Sequence, residues 1–250
     1  MGVFLKEILK KPEDSTKPTT FLYEMHQHTA GCSACGMDKP EKTVQALHAA
    51  GFTGMVLTNH FYHGNTGIKR HQPWEDFVAP YEEAYERAKE VGDELGFHVL
   101  FGVEEGVGGG KEVLLYGITP AFLYEHPELQ DRGTTEERLE RLAGLVHDAG
   151  GLLYQAHPFR VRDYINRPHE ALPTQYLDGI EAYNACNSDI ENARAAAFAQ
   201  EQGLACIAGS DAHTAKHPRF GVVFDHPIET EAQLVAALQQ QNYTLKLSGK

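Results

Sequence analysis

Short apolar runs alternate along the chain with longer segments in which apolar residues recur every three or four positions. Such runs are typical of buried strands, and the longer period is typical of amphipathic helices. The runs predict strands at 21–25, 54–58, 97–103, 112–118, 152–156, 179–183, 204–208, 220–224 and 243–246. The longer period predicts helices at 41–50, 74–95, 134–149, 188–202 and 231–240. This alternation favours a mostly parallel sheet, most simply an α/β barrel.

Residues 1–20 differ from the rest of the chain in having mixed charge and two prolines, Pro12 and Pro18. They predict an N-terminal arm. Residues 21–250 show no repeat or linker, so we expect one catalytic domain. The polar segment 60–73 is longer than most structural connections, which favours a functional role. We interpret His63, inside it, as an ordinary polar residue.

Histidines and carboxylates stand at or just beyond the ends of five predicted strands. They are His26 and His28, His60, Glu104, His157, and Asp211 with His213. Side chains two apart in a strand share a face, so His26 with His28, and Asp211 with His213, can face one site. Barrels assemble their sites from the carboxyl ends of strands. Imidazole and carboxylate are ligands of Zn, Mn and Fe, so the pattern predicts a metal-dependent hydrolase.

Composition narrows the classes of partner. The net charge of −13 argues against a groove for long nucleic acid, which clustered Lys and Arg would have to line, but it is compatible with a basic pocket for one small phosphate ester. No apolar run reaches membrane-spanning length, and the first residues resemble no secretory segment, so we expect no membrane partner. Four cysteines in 250 residues form no disulfide framework, which favours the cytoplasm. The oligomeric state is left open.

The strand ends also form an ordered set of motifs. These are His26-x-His28-Thr29, Thr58-Asn59-His60, Gly102-Val103-Glu104, Ala156-His157-Pro158 and Gly209-Ser210-Asp211-Ala212-His213. From about Phe21 onward the chain resembles the PHP (polymerase and histidinol phosphatase) family. The resemblance implies a distorted (β/α)7 TIM-like barrel with two or three divalent metal ions, Zn, Mn or Fe. It also implies a phosphoesterase whose metal-bridging hydroxide attacks a small phosphate ester of a metabolite, nucleotide or short oligonucleotide.

The resemblance assigns the ligands to three metal positions. The first position takes His26, His28, Glu104 and Asp211; Glu104 bridges to a second, held by His157; His60 and His213 belong to a third. Three departures from the family pattern follow. Asn59 stands where Asp is usual, and Leu114 where a histidine is frequent, with Glu112 as its possible substitute. Ser33, Ala34 and Cys35 replace a His or Asp, so the third metal is weaker, absent or ligated by Cys35.

Four residues are candidates for catalysis and substrate binding. Asp211 or His213 would protonate the leaving oxygen. Arg160, three residues beyond His157, would bind phosphate from the side opposite Asp211, with Arg162 as the other candidate. A salt bridge is the structural alternative for Arg160. For the whole chain, the alternatives are hydrolysis of an amide or lactone, and a metal-binding domain without catalysis.

Overall fold

The computed structural model describes residues 20–216 and 220–247, so nearly all of the predicted arm at 1–20 lies outside the described residues. The strands are β1 (Phe21–Gln27), β2 (Gly54–His60), β3 (His98–Gly108), β4 (Lys111–Tyr116), β5 (Leu152–Gln155), β6 (Gly179–Asn184), β7 (Ala205–Gly209), β8 (Phe220–Phe224) and β9 (Tyr243–Leu247). The α-helices are α1 (Pro40–Ala49), α2 (Trp74–Leu95), α3 (Pro120–Glu125), α4 (Thr135–Asp148), α5 (Asp189–Gln202) and α6 (Glu231–Gln240). Two 3₁₀ turns occupy Pro127–Gln130 and Thr174–Tyr176.

All nine described strands form one sheet in the order β7-β6-β5-β4-β3-β2-β1-β8-β9. β1 to β3 are parallel, as are β5 to β7, and β4 runs antiparallel to both of its neighbours. The sheet nearly closes, because Gln27 at the end of β1 forms a parallel bridge with Ala212 after β7. The backbone N–H of His28 donates to the carbonyl of Ala212 at 3.1 Å across this seam. The predicted α/β barrel is confirmed.

Apolar side chains fill the barrel below the strand ends that hold the predicted ligands. Leu100 and Glu104 lie four residues apart on β3, and Leu114 lies two residues from Glu112 on β4, so each pair shares a face of the sheet. Leu100 and Leu114 belong to a buried apolar cluster with Tyr23 and Tyr116. A second, larger cluster packs the helices against the outside of the sheet. The ligand end of the barrel therefore has an apolar floor and closely packed walls.

The sequence prediction missed two features of the fold. β3 continues to Gly108 instead of ending at residue 103, so its connection to the antiparallel β4 is shorter than the loop at 105–111 that the sequence predicts. α3 was not predicted because a six-residue helix is too short to show a helical period. Within the described residues, no helix has both the length and the apolar composition needed to cross a bilayer.

Candidate metal centre

The carboxyl-terminal parts of five strands place seven potential metal ligands at one end of the barrel. They are His26 in β1 and His28 just beyond it, His60 at the end of β2, Glu104 in β3, His157 after β5, and Asp211 and His213 after β7. Six are buried, and the side chain of His213 is 31% exposed. The structure therefore brings together every ligand that the sequence predicts.

Glu104 lies at the centre of the group, and its two oxygens face different histidines. Oε1 lies 3.3 Å from Nε2 of His26 and 3.0 Å from Nε2 of His157. Oε2 lies 3.3 Å from Nε2 of His28 and 2.9 Å from Nδ1 of His60. A carboxylate flanked by donors on both oxygens has the arrangement needed to bridge two cations.

Asp211 completes the set of donors on the β1 side. Its Oδ1 lies 3.2 Å from Nε2 of His28 and 3.7 Å from Nε2 of His26, and the two imidazole nitrogens are 3.1 Å apart. Ligand atoms held at about 2.0–2.1 Å from a tetrahedral metal ion lie about 3.4 Å from one another. The observed separations match that value, so His26, His28 and Asp211 fit one first-row metal ion.

Glu112 also faces the centre. Its Oε1 lies 3.3 Å from Nδ1 of His60, and its Oε2 lies 3.5 Å from Nε2 of His157. Leu114, where a histidine would be frequent in the family, is instead fully buried in the apolar cluster below. Glu112 therefore offers a carboxylate to the metal positions near His157 and His60, which is the substitution for the histidine at position 114 that the sequence analysis left open.

The nitrogen and carboxylate oxygen atoms of this group are placed to bind cations, and some of them have no hydrogen-bond partner in the described ranges. Among the described residues, four overlapping sets of three ligand atoms lie within 4.8 Å of one another. Oε2 of Glu104 and Nδ1 of His60 are buried and lie 2.9 Å apart, but neither has a hydrogen-bond partner of acceptable geometry within the described part of the chain. Burial would raise the pKa of Glu104, but His26 and His60 hold it well below its usual range. An ionised carboxylate beside unused nitrogen and oxygen donors is the state that binds a divalent metal.

A cavity of about 710 Å³ opens over the ligands. Its walls include His60, Glu112, His157, Asp211 and His213 from the group above, together with Cys35, Arg160 and Tyr164. The hairpin residues Gly108–Gly110 and Lys111 also line the cavity. This volume is in the range of small-molecule sites, so a compact substrate could lie directly on the donors.

Comparison with protein families identifies the family to which the chain belongs. The sequence profile of the PHP domain matches residues 24–202, well over half of the chain. The chain belongs to the PHP domain family. A second profile, described as PHP-associated, matches residues 189–243. The PHP profile ends before Asp211 and His213, which fall within the PHP-associated region. No curated protein matches the sequence significantly.

Solved structures share the PHP fold at low identity. A two-domain Bacteroides vulgatus protein, in which a PHP-like metal-dependent phosphoesterase was assigned by prediction, has a TM-score of 0.64 at 15% identity; the match covers 92% of this chain and 65% of that one. A candidate metal-dependent phosphoesterase from Bifidobacterium adolescentis has a TM-score of 0.54 at 16% identity, covering 79% and 89%. An amidohydrolase from Chromobacterium violaceum, with bound SO4 and no metal, has a TM-score of 0.56 at 17% identity, covering 89% and 97%.

Glu181 orients two ligands of this PHP centre, although the sequence analysis did not identify it. Its Oε1 lies 3.0 Å from Nδ1 of His26, and its Oε2 accepts from the backbone N–H of His157 at 3.0 Å. A proton on Nδ1 of His26 leaves Nε2 free to face the centre. A Cβ at Gly209 would lie 2.6 Å from both Cβ of His26 and Oε1 of Glu181, so glycine permits this packing. The sequence did contain one signal for Glu181, because a charged glutamate inside the apolar run of β6 needs a buried partner.

Ser33 and Asn59 position the loop that follows His28. The hydroxyl of Ser33 donates to Oδ1 of Asn59 at 2.9 Å and accepts from the backbone N–H of His60 at 3.0 Å. Nδ1 of His28 lies 3.1 Å from the same hydroxyl, which can accept its proton. Oδ1 of Asn59 also accepts from the backbone N–H of Thr29 at 2.7 Å. Asn59 therefore acts through the loop and not as a ligand, which is consistent with its replacing Asp.

Two of the ligands have a backbone conformation that side-chain-bearing residues rarely adopt. The φ angle is 30° at His157 and 52° at Asp211. Such conformations cost about 1–3 kcal/mol each and persist only where the surroundings impose them. At His157 the surroundings include the hydrogen bond from its N–H to Glu181. Each residue lies two positions beyond the end of its strand, where the regular strand conformation has already ended.

The two candidate arginines occupy different environments. Arg160 is buried; its Nη2 donates to Oδ2 of Asp211 at 2.5 Å, and its Nε donates to Asn187 at 2.8 Å. It lines the cavity beside Asp211, so the expectation that it lies on the opposite side is wrong. Arg162 is exposed, pairs with Glu191 at 3.4 Å and is absent from the described cavity lining. Geometry therefore favours Arg160 over Arg162 as a phosphate ligand.

We expect Arg160→Ala to lower kcat/KM for phosphate esters about 10- to 100-fold, because a charged hydrogen bond to substrate is lost. Arg160→Lys should retain only part of the wild-type kcat/KM, since an ammonium group cannot make a forked contact with phosphate. Kinetics per metal-loaded site, alongside elemental analysis, measure the effect. Loss of metal or thermal stability with unchanged kcat/KM per loaded site would instead show that Arg160 serves only as the partner of Asp211.

Cys35 lies at the position where the family usually supplies a histidine or aspartate. Its thiol lines the cavity and hydrogen bonds with His213 and His60. Burial alone would raise its pKa, but these two histidines outweigh burial and lower the pKa of Cys35 to about 6. The other member of the CxxC pair, Cys32, is buried and donates to the carbonyl of Pro80. Cys35 is nevertheless absent from the four sets of close ligand atoms among the described residues, so its role as a ligand of the third position stays a prediction.

We expect the position near Cys35, His60 and His213 to lose its metal first under mild chelation, because no His or Asp follows His28 at the usual place. In cobalt-substituted protein, Cys35→Ser should abolish a thiolate-to-cobalt absorption band. Cys206→Ser, a change at a half-buried thiol outside the cavity lining, is the matched control. Simultaneous release of all ions, or a band that survives Cys35→Ser, would contradict this expectation.

Proposed function

We propose that the chain is a metal-dependent phosphoesterase acting on a small phosphate ester with two or three divalent ions, Zn, Mn or Fe. The observation that most supports this is Glu104, a buried carboxylate whose two oxygens face separate sets of imidazole donors. Arg160 supplies a guanidinium at the wall of the same cavity. The names of the Bacteroides and Bifidobacterium proteins agree with this activity.

When bound, divalent ions would neutralise the charge of a phosphate ester and lower the pKa of water. The residues of the chain then divide the remaining tasks. Arg160 orients the phosphate, and its bond to Asp211 fixes the guanidinium. Both oxygens of Asp211 are engaged, Oδ2 by Arg160 and Oδ1 by the neighbouring His28, so Asp211 is poorly placed to deliver a proton. His213, partly exposed at the cavity edge, is the better proton donor to the leaving oxygen.

The cavity supports a small substrate. A volume of about 710 Å³ holds a metabolite or nucleotide, and the net charge of −13 disfavours a long polyanion. All four cysteines are free, which suits a reducing compartment such as the cytoplasm. We accordingly propose a cytoplasmic enzyme without a membrane or long nucleic acid as partner.

Turnover of an aryl phosphate by metal-loaded protein tests this function. An aryl phosphodiester, an aryl carboxylic ester and an aryl amide are the controls. The proposal predicts hydrolysis of the phosphate monoester that stops on chelation and resumes on adding metal. Metal-dependent hydrolysis of the amide or ester alone would contradict it.

Amide or lactone hydrolysis is the second candidate, favoured by the fold shared with the Chromobacterium amidohydrolase. Activated water attacks carbonyl carbon as well as phosphorus. A buried cavity arginine is better matched to a phosphate dianion than to a neutral amide, which places this candidate second. Complete inactivity toward every substrate class, with metal bound, would leave a metal-binding domain without catalysis.

A further inference from the structure

A second cavity, of about 470 Å³, adjoins the one above the ligands. Its lining includes Tyr62, His63, Arg70, His71, Arg132 and Arg138. The two cavities share His63 and Arg138 in their linings. Four of these six residues come from the segment 60–73, which its length alone marked as a functional loop, and Arg138 comes from α4.

The second cavity is basic within an acidic protein. The chain has 35 acidic and 22 basic residues, yet three arginines line this cavity and no carboxylate does among the described residues. Burial, and then the nearby Arg138 and Arg70, lower the pKa of His63 to about 4. A neutral histidine beside two guanidinium groups is what a positive local field produces.

Backbone carbonyls hold the Arg70 side chain in place, and it forms no ion pair with a described carboxylate. Its Nε donates to the carbonyl of Tyr62 at 2.5 Å, its Nη2 donates to the carbonyl of Gly64 at 2.7 Å, and its guanidinium lies 6.0 Å from the Tyr62 ring centre. Arg132 is exposed and makes no hydrogen bond or ion pair with other described residues. Both cations are thus available to an anion in the cavity.

Arg138 connects the two cavities to the metal centre. Its Nη2 donates to Oε1 of Glu105 at 2.9 Å, and the same carboxylate accepts from the backbone N–H of His63 at 3.1 Å. Glu105 directly follows Glu104 in β3. The wall that the two cavities share is therefore bonded to the strand that carries the central ligand, and the cavities meet at His63 and Arg138.

We propose that the second cavity binds a second phosphate group carried by the substrate, while the scissile phosphate lies over the metal ligands. This inference rests on the proposed phosphoesterase function and narrows its substrates to esters with two phosphate groups. Arginine side chains match phosphate because their donors are forked and remain charged. Free inorganic phosphate supplies the same chemistry, so the test separates the two sources.

Alkanediol bisphosphates of increasing chain length, each paired with its monophosphate, test the proposal in metal-loaded protein. Wild type should prefer the best bisphosphate over its monophosphate about 10- to 100-fold in kcat/KM, with an optimum at intermediate length. Arg132→Ala should lose most of that preference, and Arg132→Lys should keep part of it. Arg132 makes no bond to other described residues, so its replacement should not disturb folding.

Lys69→Ala is the matched control for Arg132→Ala, because Lys69 is exposed beside Arg70, is absent from the lining and has the same charge as Arg132. It should keep the preference for the bisphosphate. An equal preference in wild type and Arg132→Ala, or its equal loss in Lys69→Ala, would overturn the proposal. Absence of hydrolysis of either ester by loaded wild type would count against the phosphoesterase function instead.

Calorimetric titration with inorganic phosphate provides a readout that needs no turnover. Wild type and Lys69→Ala should have a phosphate site that Arg132→Ala lacks. Phosphate binding there without any preference for bisphosphates would assign the cavity to free phosphate and overturn its role in substrate binding. Identical phosphate binding by wild type and Arg132→Ala would exclude the site.

Discussion

Glu104→Gln is expected to lower kcat at least about 1000-fold, equivalent to roughly 4 kcal/mol of transition-state stabilisation. Glutamine keeps the shape of the side chain but lacks the charge that a carboxylate between two cations must supply. Its amide would also place N–H donors against imidazole nitrogens that now face oxygens at 2.9–3.3 Å. Turnover at saturating metal, with metal content measured in parallel, records both losses.

Glu105→Gln is a close control for this variant. Glu105 is the next residue of β3, is equally buried, and pairs with Arg138 instead of the histidines. The Glu105→Gln protein should keep its metal content, whereas Glu104→Gln should lose at least one ion. Near wild-type turnover by metal-saturated Glu104→Gln would remove Glu104 from its bridging role.

Removing the metal is expected to abolish activity and to lower the melting temperature by about 8–16 °C. Ions present at a thousand times their dissociation constant stabilise the folded chain by about 4 kcal/mol, and each kcal/mol shifts the melting point of a chain this long by about 2–4 °C. Stripped protein must keep Glu104 and Asp211 buried among histidines without the cation that balances them. Calorimetric melting before and after chelation, and after reloading, measures the shift.

Magnesium, which prefers oxygen ligands, is a useful control for this reloading. It should restore less stability than Zn, Mn or Fe, because the centre offers five imidazoles among its ligands. An unchanged melting temperature after complete removal of metal would show that the buried donors stabilise one another without a cation.

The sequence predicted long elements better than short ones. The bounds of α2 were predicted at Trp74 and Leu95, because its apolar period extends over several turns and Gly96 provides a left-handed C-cap. The hairpin of β3 and β4 was harder to predict, because its glycines resemble a loop and its pairing depends on partners that local sequence does not specify. Strand pairing also decides that Glu112, opposite Gly106, faces the same side as Glu104.

Site residues could be predicted where strand ends marked them, and not where a distant partner defines their role. All seven expected ligands meet, because the carboxyl ends of barrel strands converge whatever their separation in sequence. Glu181 contacts His26 across 155 positions, and Arg160 contacts Asp211 across 51, so neither contact has a local signal. The basic cavity brings together α4 and the 60–73 loop, which only the folded chain juxtaposes.

Phosphate monoester turnover, measured against the number of metal ions bound per chain, tests the central claim most directly. Stripped protein is reloaded stepwise with Zn, Mn or Fe, and elemental analysis accompanies each assay. We expect turnover to remain low until the first ion is bound and to rise steeply as the second binds, because the oxygens of Glu104 face two sets of donors. Full activity at less than one ion per chain, or no turnover with two or more ions bound, would contradict the account.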